Sequence, residues 1–237
     1  MSDDDAQSFR ALLRSLRAGV GELPAFDAEH APQEPLPLFR RWLREAAQAG
    51  APEPHTMTLA TADAAGRPSL RTVMLHDADE LGWHFATHRT SRKGRELAER
   101  PWASLGFYWA VLGRQVRISG PVTVASPAES AADLRRRSPA ALVAALVGRQ
   151  SEVLDSPREL ARAFQEARAR AEREPEAVAA TWTRYVLDPE EVEFYQGDPE
   201  RQHVRLRYRR EEPGRDTGRD TGAGPAGARW HRELLWP

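Results

Sequence analysis

The chain has 237 residues, of which 34 are basic and 35 acidic, for a formal net charge of −1. That balance argues against a nucleic-acid-binding surface, and the absence of cysteine excludes disulfides, thiolate catalysis and cysteine-ligated metals. No apolar run approaches the roughly 18 residues of a membrane helix. The acidic start, Met1 to Asp5, is not followed by a signal-type apolar core, so a soluble, cytoplasmic chain with no membrane or nucleic-acid partner is expected.

Residues 8–21 hold Phe9, Leu12, Leu13, Leu16 and Val20 at helical spacing, and Gly21 and Pro24 end the pattern. The Pro-rich, acidic stretch from Phe26 to Pro37 reads as an arm or linker. Leu38, Phe39, Trp42, Leu43 and Ala46, followed by Gly50, predict a short amphipathic helix with a glycine stop. The period then changes. Met57–Ala62 and Ser69–His76 flank the turn Asp63–Pro68 as a hairpin, Gly82–Thr87 follows as a third strand, and 91–100 reads as a helix. Trp102–Trp109 and Arg114–Ala125 form a strand pair around Gly113. Ser126-Pro-Ala-Glu129 and Ser156-Pro-Arg-Glu159 each carry an N-cap, a proline at the first helical position and a capping-box acid, and 138–148 is helical in composition. Strands return at 182–187, 191–196, 202–209 and 230–235.

The expectation is a mainly β fold, a small antiparallel barrel with flanking helices. An N-terminal helix and arm (1–35) precede one barrel domain (36–237) with a helical insert (about 127–172) and a flexible hairpin tip (about 211–228). The tandem Gly-Arg-Asp-Thr repeat at 214–222 has too few apolar groups to fold and reads as that tip.

The chain lacks a GxGxxG fingerprint and a P-loop, and its histidines show no metal-ligand spacing, so no metal is expected. What stands out is a set of anion-binding groups: Arg71, read as opening the second strand, Thr87 ending the third, and Ser91-Arg92-Lys93 starting a helix. Free N–H groups, a hydroxyl and two cations suit a phosphate. Taken alone, such a basic first turn is more often simply solvated.

Ordered motifs say more. The segment from Glu53 to His76 resembles the first hairpin of the pyridoxamine 5′-phosphate oxidase family, and Phe85-Ala-Thr-His-Arg-Thr-Ser-Arg-Lys-Gly94 resembles its phosphate loop. Arg114–Gly120, Arg149-Gln-Ser151, Val192–Gly197, Arg201-Gln-His-Val-Arg205 and the final Leu-Leu-Trp-Pro are similar to later family motifs in the same order, over roughly residues 38–237. The resemblance implies an FMN-binding split β-barrel and a homodimer with the flavin at the subunit interface. Arg71 and the backbone of Thr72, Val73 and Met74 would hold the flavin. Ala86, Thr87, Ser91, Arg92 and Lys93 would bind or flank its phosphate end. Gln115, Gln150 and Ser151 would add polar contacts, Tyr195 would pack where the family usually has Trp, and Arg205 matches a flavin-binding arginine. Arg201 and His203 match the Arg-x-His pair that faces substrate.

The sequence departs from the vitamin B6 enzyme where that enzyme grips substrate phosphate. His76 stands for an expected lysine. Counting back from Gln150, the expected Tyr, Arg and Ser fall at Asp133, Arg137 and Ala141. The phosphate-loop run, Pro101-Trp-Ala-Ser104, Tyr108-Trp109 and Arg149-Gln-Ser-Glu152 are more similar to the phenazine-biosynthesis branch. The expected function is therefore FMN-dependent oxidation by O2 of a partly reduced cyclic carboxylated amine, with Arg201 and His203 catalytic and His76, Arg137, Arg201 and His203 binding substrate. Alternatives are a true pyridoxamine 5′-phosphate oxidase, a non-catalytic flavin- or haem-binding member of the fold class, and a multimerising protein that works through its arm.

Overall fold

A computed structural model describes residues 3–16, 22–174, 176–211 and 229–237. The repeat at 214–222 lies outside them, as does most of the expected hairpin tip. The elements are α1 (Asp3–Ser15), α2 (Pro35–Gln48), β1 (Thr56–Ala62), β2 (Pro68–Met74), β3 (Asp77–Asp79), β4 (Gly82–His88), α3 (Arg92–Glu99), β5 (Trp102–Trp109) and β6 (Arg114–Val124). The insert follows as α4 (Pro127–Arg135), α5 (Pro139–Val147) and α6 (Pro157–Arg173). The chain closes with β7 (Trp182–Leu187), β8 (Glu191–Gln196), β9 (Val204–Arg210) and β10 (Trp230–Leu234).

The strands pair antiparallel in the order β10-β9-β8-β6-β5-β1-β2, with β3, β4 and β7 joined on through β6. The strand β6 serves two sheets. Residues Arg114–Ser119 pair with β8, whereas Val122–Val124 pair with β7. The switch falls at Gly120, where a Cβ would lie 2.0 Å from the carbonyl oxygen of Asp188. Only a residue without a side chain lets the two backbones approach that closely. Alternation along the strands turns Leu59, Leu105, Phe107, Val116, Ile118, Val192 and Phe194 into one core.

The helix α2 closes that core. Phe39 meets Trp83 at 5.3 Å and Phe107 at 5.1 Å, and Trp42 meets Phe194 at 5.2 Å, all edge-on. The glycine stop holds: Gly50 has φ 72°. One expectation changes here. The stretch before α2 is not a free linker, because Phe26 packs edge-on against Trp42 at 5.0 Å, Ala31 is buried, and Tyr208 donates to the carbonyl of Pro32. The first helix spans Asp3–Ser15, with Phe9, Leu12 and Leu13 exposed, and the end of the expected pattern, at 17–21, lies outside the described residues.

In the insert, Ser126, Ser138 and Ser156 each cap a helix whose first residue is proline, accepting from the backbone N–H three residues on. The insert helices and Trp182 bury a satellite cluster of Leu134, Ala145 and Ala179. The second strand also stops earlier than its composition suggests. It ends at Met74, and Asp77–Asp79 form the short β3, which pairs with β4.

Replacing Gly120 with Ala is expected to destabilise the protein by about 1–3 kcal/mol, because β6 and the Asp188 backbone must part. An unchanged urea midpoint in Gly120→Ala would show that the crossing relaxes freely.

Candidate active site

The first group of expected residues gathers at the start of α3. Ser91 caps the helix, its hydroxyl accepting from the N–H of Gly94. Lys93 is buried, 7% exposed, and its ammonium donates to Thr87 Oγ1 at 3.3 Å and to Gln150 Oε1 at 2.9 Å. Both are neutral acceptors. Burial, with the nearby charge of Arg71, lowers the Lys93 pKa to about 8. The N–H of Arg92 donates to the hydroxyl of Ser151, which sits in the left-handed region at φ 74°. Ala86 lies beside these on β4, opposite Arg184 of β7.

Arg71 stands in the middle of β2, not at its start. It donates to Thr61 Oγ1 at 2.6 Å and to Glu96 Oε2 at 3.2 Å. Glu96 is a buried carboxylate on the inner face of α3 that also accepts from Thr61, from Ser69 at 2.6 Å and from Arg92 Nε at 2.8 Å. Burial opposes its charge, but the hydrogen bonds from Ser69, Thr61, Arg92 and Arg71 bring its pKa down to about 2. Sequence reasoning missed Glu96, since a Glu amid Arg and Lys on a short helix reads as solvated. The strand β2 ends the sheet, with Thr72 and Met74 facing out and Val73 against the core.

A second group lines a cavity of about 310 Å³: Tyr108, Gln115, Tyr195, Arg201 and His203. Register explains it, because Gln115 of β6 lies between Tyr108 of β5 and Tyr195 of β8. The rings of Tyr195 and His203 are 5.1 Å apart. His203 Nδ1 accepts from the N–H of Asp198 at 3.0 Å, which leaves the proton of a neutral ring on Nε2. Arg201 has a left-handed backbone, φ 66°. Arg205 is already paired, with Glu193 at 2.9 Å and with the carbonyl of Trp236 at 2.8 Å.

The third group lines a cavity of about 510 Å³ that includes Met74, His76, Asp133, Arg137, Ala141 and Arg184. The three positions counted back from Gln150 thus share a cavity with His76. His76 Nδ1 lies 3.0 Å from Asp133 Oδ1, and Arg137 contacts both ring nitrogens. Asp133 also accepts from Trp182 Nε1 at 3.1 Å. Burial opposes the charge of Asp133, yet His76, Trp182 and Arg137 bring its pKa down to about 2, so the cavity wall carries an anion. Arg184 was not singled out in sequence, because its place depends on pairing between strands about 100 residues apart.

Residues 43–171 match the pyridoxamine 5′-phosphate oxidase family, and residues 182–237 match the C-terminal dimerisation region of pyridoxine 5′-phosphate oxidase. The chain belongs to the pyridoxamine 5′-phosphate oxidase family. It is accordingly a flavin-dependent oxidoreductase, and its curled sheet is the split barrel of this family.

Among family members, a pyridoxine/pyridoxamine 5′-phosphate oxidase of Paraburkholderia phymatum is 45% identical over 192 residues, covering 78% of this chain and 87% of its own. One of Salinibacter ruber is 43% identical over 189 residues, covering 79% and 88%. Among solved structures, PhzG of Burkholderia lata 383, in complex with tetrahydrophenazine-1-carboxylic acid, is 32% identical with a TM-score of 0.79, covering 92% of this chain and all 100% of that one. A pyridoxamine 5′-phosphate oxidase-related, FMN binding protein of Nostoc punctiforme shares the fold, with a TM-score of 0.64 at 20% identity over 84% of this chain and 97% of its own.

The pKa of Glu96 gives a stability prediction. A carboxylate lowered in the native state from 4.5 to about 2 stabilises the fold fully above the higher value, and that contribution fades as pH falls towards the lower. The stability gap between the native chain and Glu96→Gln, from urea unfolding, should therefore shrink as pH falls through this window. A gap that stays constant would show the carboxylate to be unperturbed.

Proposed function

We propose that this chain is a homodimeric FMN-dependent oxidase that dehydrogenates a partly reduced cyclic or aromatic carboxylated amine of phenazine type, with O2 as acceptor. The observation that carries the substrate class is the ionised Asp133 in the wall of the large cavity, beside His76 and Arg137. A phosphate dianion in such a cavity needs several uncompensated donors. Arg184 and Ser138 also line the cavity, but the carboxylate of Asp133 takes part of the charge of Arg137 and repels the second charge of a dianion, and Ala141 brings no hydroxyl.

The flavin reading rests on Lys93. A buried ammonium that meets only neutral acceptors is an incomplete ion pair, and a phosphate monoester completes it. Ser91, Arg92, Thr87, Gln150, Ser151 and the Ala86 backbone would surround that phosphate, with Arg71 and the edge backbone of Thr72 to Met74 along the flavin. One cradle and no dinucleotide fingerprint favour FMN over FAD. Gln115, Tyr195 and Arg205 belong with the flavin in this reading. Within one protomer Gln115 and Tyr195 line a cavity that the cradle residues do not line, which supports a site shared between two copies, as does the match to a dimerisation region.

The bound isoalloxazine would supply hydride acceptance and reaction with O2. The chain's own residues bind and orient. Arg201 and His203 face substrate, and His203, with Nδ1 taken by the Asp198 N–H, acts through Nε2 as a hydrogen-bond donor to it. Arg137, tied through Asp133 and His76, is a fixed cation at the far end. A second reading, oxidation of pyridoxine or pyridoxamine 5′-phosphate, is favoured by the names of relatives that are 45% and 43% identical.

Steady-state kinetics under air separate the two. The proposal expects kcat/KM for pyridoxamine 5′-phosphate about two to four orders of magnitude below that for a tetrahydrophenazine carboxylate. Equal or higher values for the phosphate ester would overturn it.

Lys93 gives a second test. Cofactor-free protein should bind FMN progressively less tightly as pH rises through about 8, where the lowered Lys93 pKa is passed and the ammonium loses its proton. Lys93→Arg should abolish that decline, because a guanidinium stays charged. A decline that persists in Lys93→Arg would place the titrating group elsewhere.

A further inference from the structure

The large cavity holds a cation whose partners differ from those of its neighbours. Arg184 lies on β7, half-buried, with its side chain in the wall shared by His76 and Arg137. Its Nε and one terminal nitrogen donate to a single atom, Nδ1 of His84, at 3.2 and 2.7 Å. His84 is 1% exposed, and its Nε2 reaches Asp79 Oδ1 at 2.7 Å. An Nδ1 that accepts from a guanidinium carries no proton, so the ring is neutral and its N–H points at Asp79. Asp79 fixes the ring and the ring fixes the guanidinium.

This relay orients Arg184 without neutralising it. Arg137 shares its charge with Asp133, whereas Arg184 makes no ion pair among the described residues. Glu129 is close enough to feel the charge of Arg184, but its carboxylate hydrogen-bonds Ser126. The remaining terminal nitrogen of Arg184 has no protein partner among the described residues. A planar, pre-oriented guanidinium with a free edge in a concave wall is suited to one carboxylate. A dianion would bring a second charge towards Asp133, whereas a carboxylate brings one and leaves none over.

We infer that Arg184 is the group that binds the substrate carboxylate in this cavity, with His84 and Asp79 as its positioning residues. The inference deepens the substrate class proposed above and rests on it. It assigns a specificity-determining role to a residue on β7 and places the acid group of the ligand at the Arg184 wall.

The test uses flavin-loaded enzyme and two non-reacting probes, phenazine-1-carboxylate and phenazine-1-carboxamide, titrated by calorimetry. The unaltered enzyme should bind the acid about tenfold or more tightly than the amide. In Arg184→Gln the acid should weaken by about that factor while the amide changes less than about twofold, which also shows the cavity to be intact. With reduced substrate, KM should rise and kcat hold. His84→Leu should weaken acid binding in the same direction, and His84→Asn, which keeps an acceptor for Arg184, should restore much of it. If the acid keeps its advantage in both Arg184→Gln and His84→Leu, the assignment of Arg184 is wrong while the substrate class stands. If the unaltered enzyme binds neither probe but takes up pyridoxal 5′-phosphate, the substrate class and this inference fall together.

Discussion

A strand that pairs with one neighbour along its first half and another along its second must have a point where both backbones crowd it. In this chain that point is Gly120, and the divided pairing of β6 follows from it. One half of β6 carries β8 and β9, and with them Gln115, Tyr195 and Arg205. The other half carries β7, which holds β4 and so sets His84, Ala86 and Thr87 against Arg184 and Thr183. The helix α2 then seals the end with Phe39 and Trp42. Arg184 and its β4 neighbours thus hang from one branch and Tyr195 and Arg205 from the other, while Arg71 is carried by the β1–β2 hairpin on β5.

The charged groups divide by what compensates them. Glu96 is a buried carboxylate with several donors and settles as an anion; Glu193 is held in the same way by Arg205 and Arg117. These sites are electrostatically closed and serve to hold arginines in place. Lys93 and Arg184 are the opposite case. Each is a cation held by neutral acceptors, Thr87 and Gln150 for one and His84 for the other. Removing a charge from water without a counter-charge is unfavourable, and a fold keeps such a group where a ligand supplies what is missing. Lys93 lies at the start of α3 and Arg184 in the wall of the cavity at the insert, as expected if one meets a cofactor phosphate and the other a substrate acid.

Much of this was legible in the sequence. Periodicity and caps determined almost every strand and helix, since alternation at two residues and stripes at 3.6 are local consequences of burying one face. The Ser-Pro-x-Glu signatures marked α4 and α6 because a cap is satisfied within four residues. Resemblance to the family pattern, counted back from Gln150, named Asp133, Arg137 and Ala141, which lie on α4, in the turn that follows it and on α5, and the ordered motifs named the cradle residues. Tertiary structure decided what depends on pairing across long separations. Glu96 becomes a buried anion only when α3 packs against the hairpin that carries Thr61, Ser69 and Arg71. Arg184 finds His84 only because β7 lies along β4, and His84 finds Asp79 only because β3 folds back on it. Burial and partner choice are properties of the packed barrel, and no local pattern encodes them.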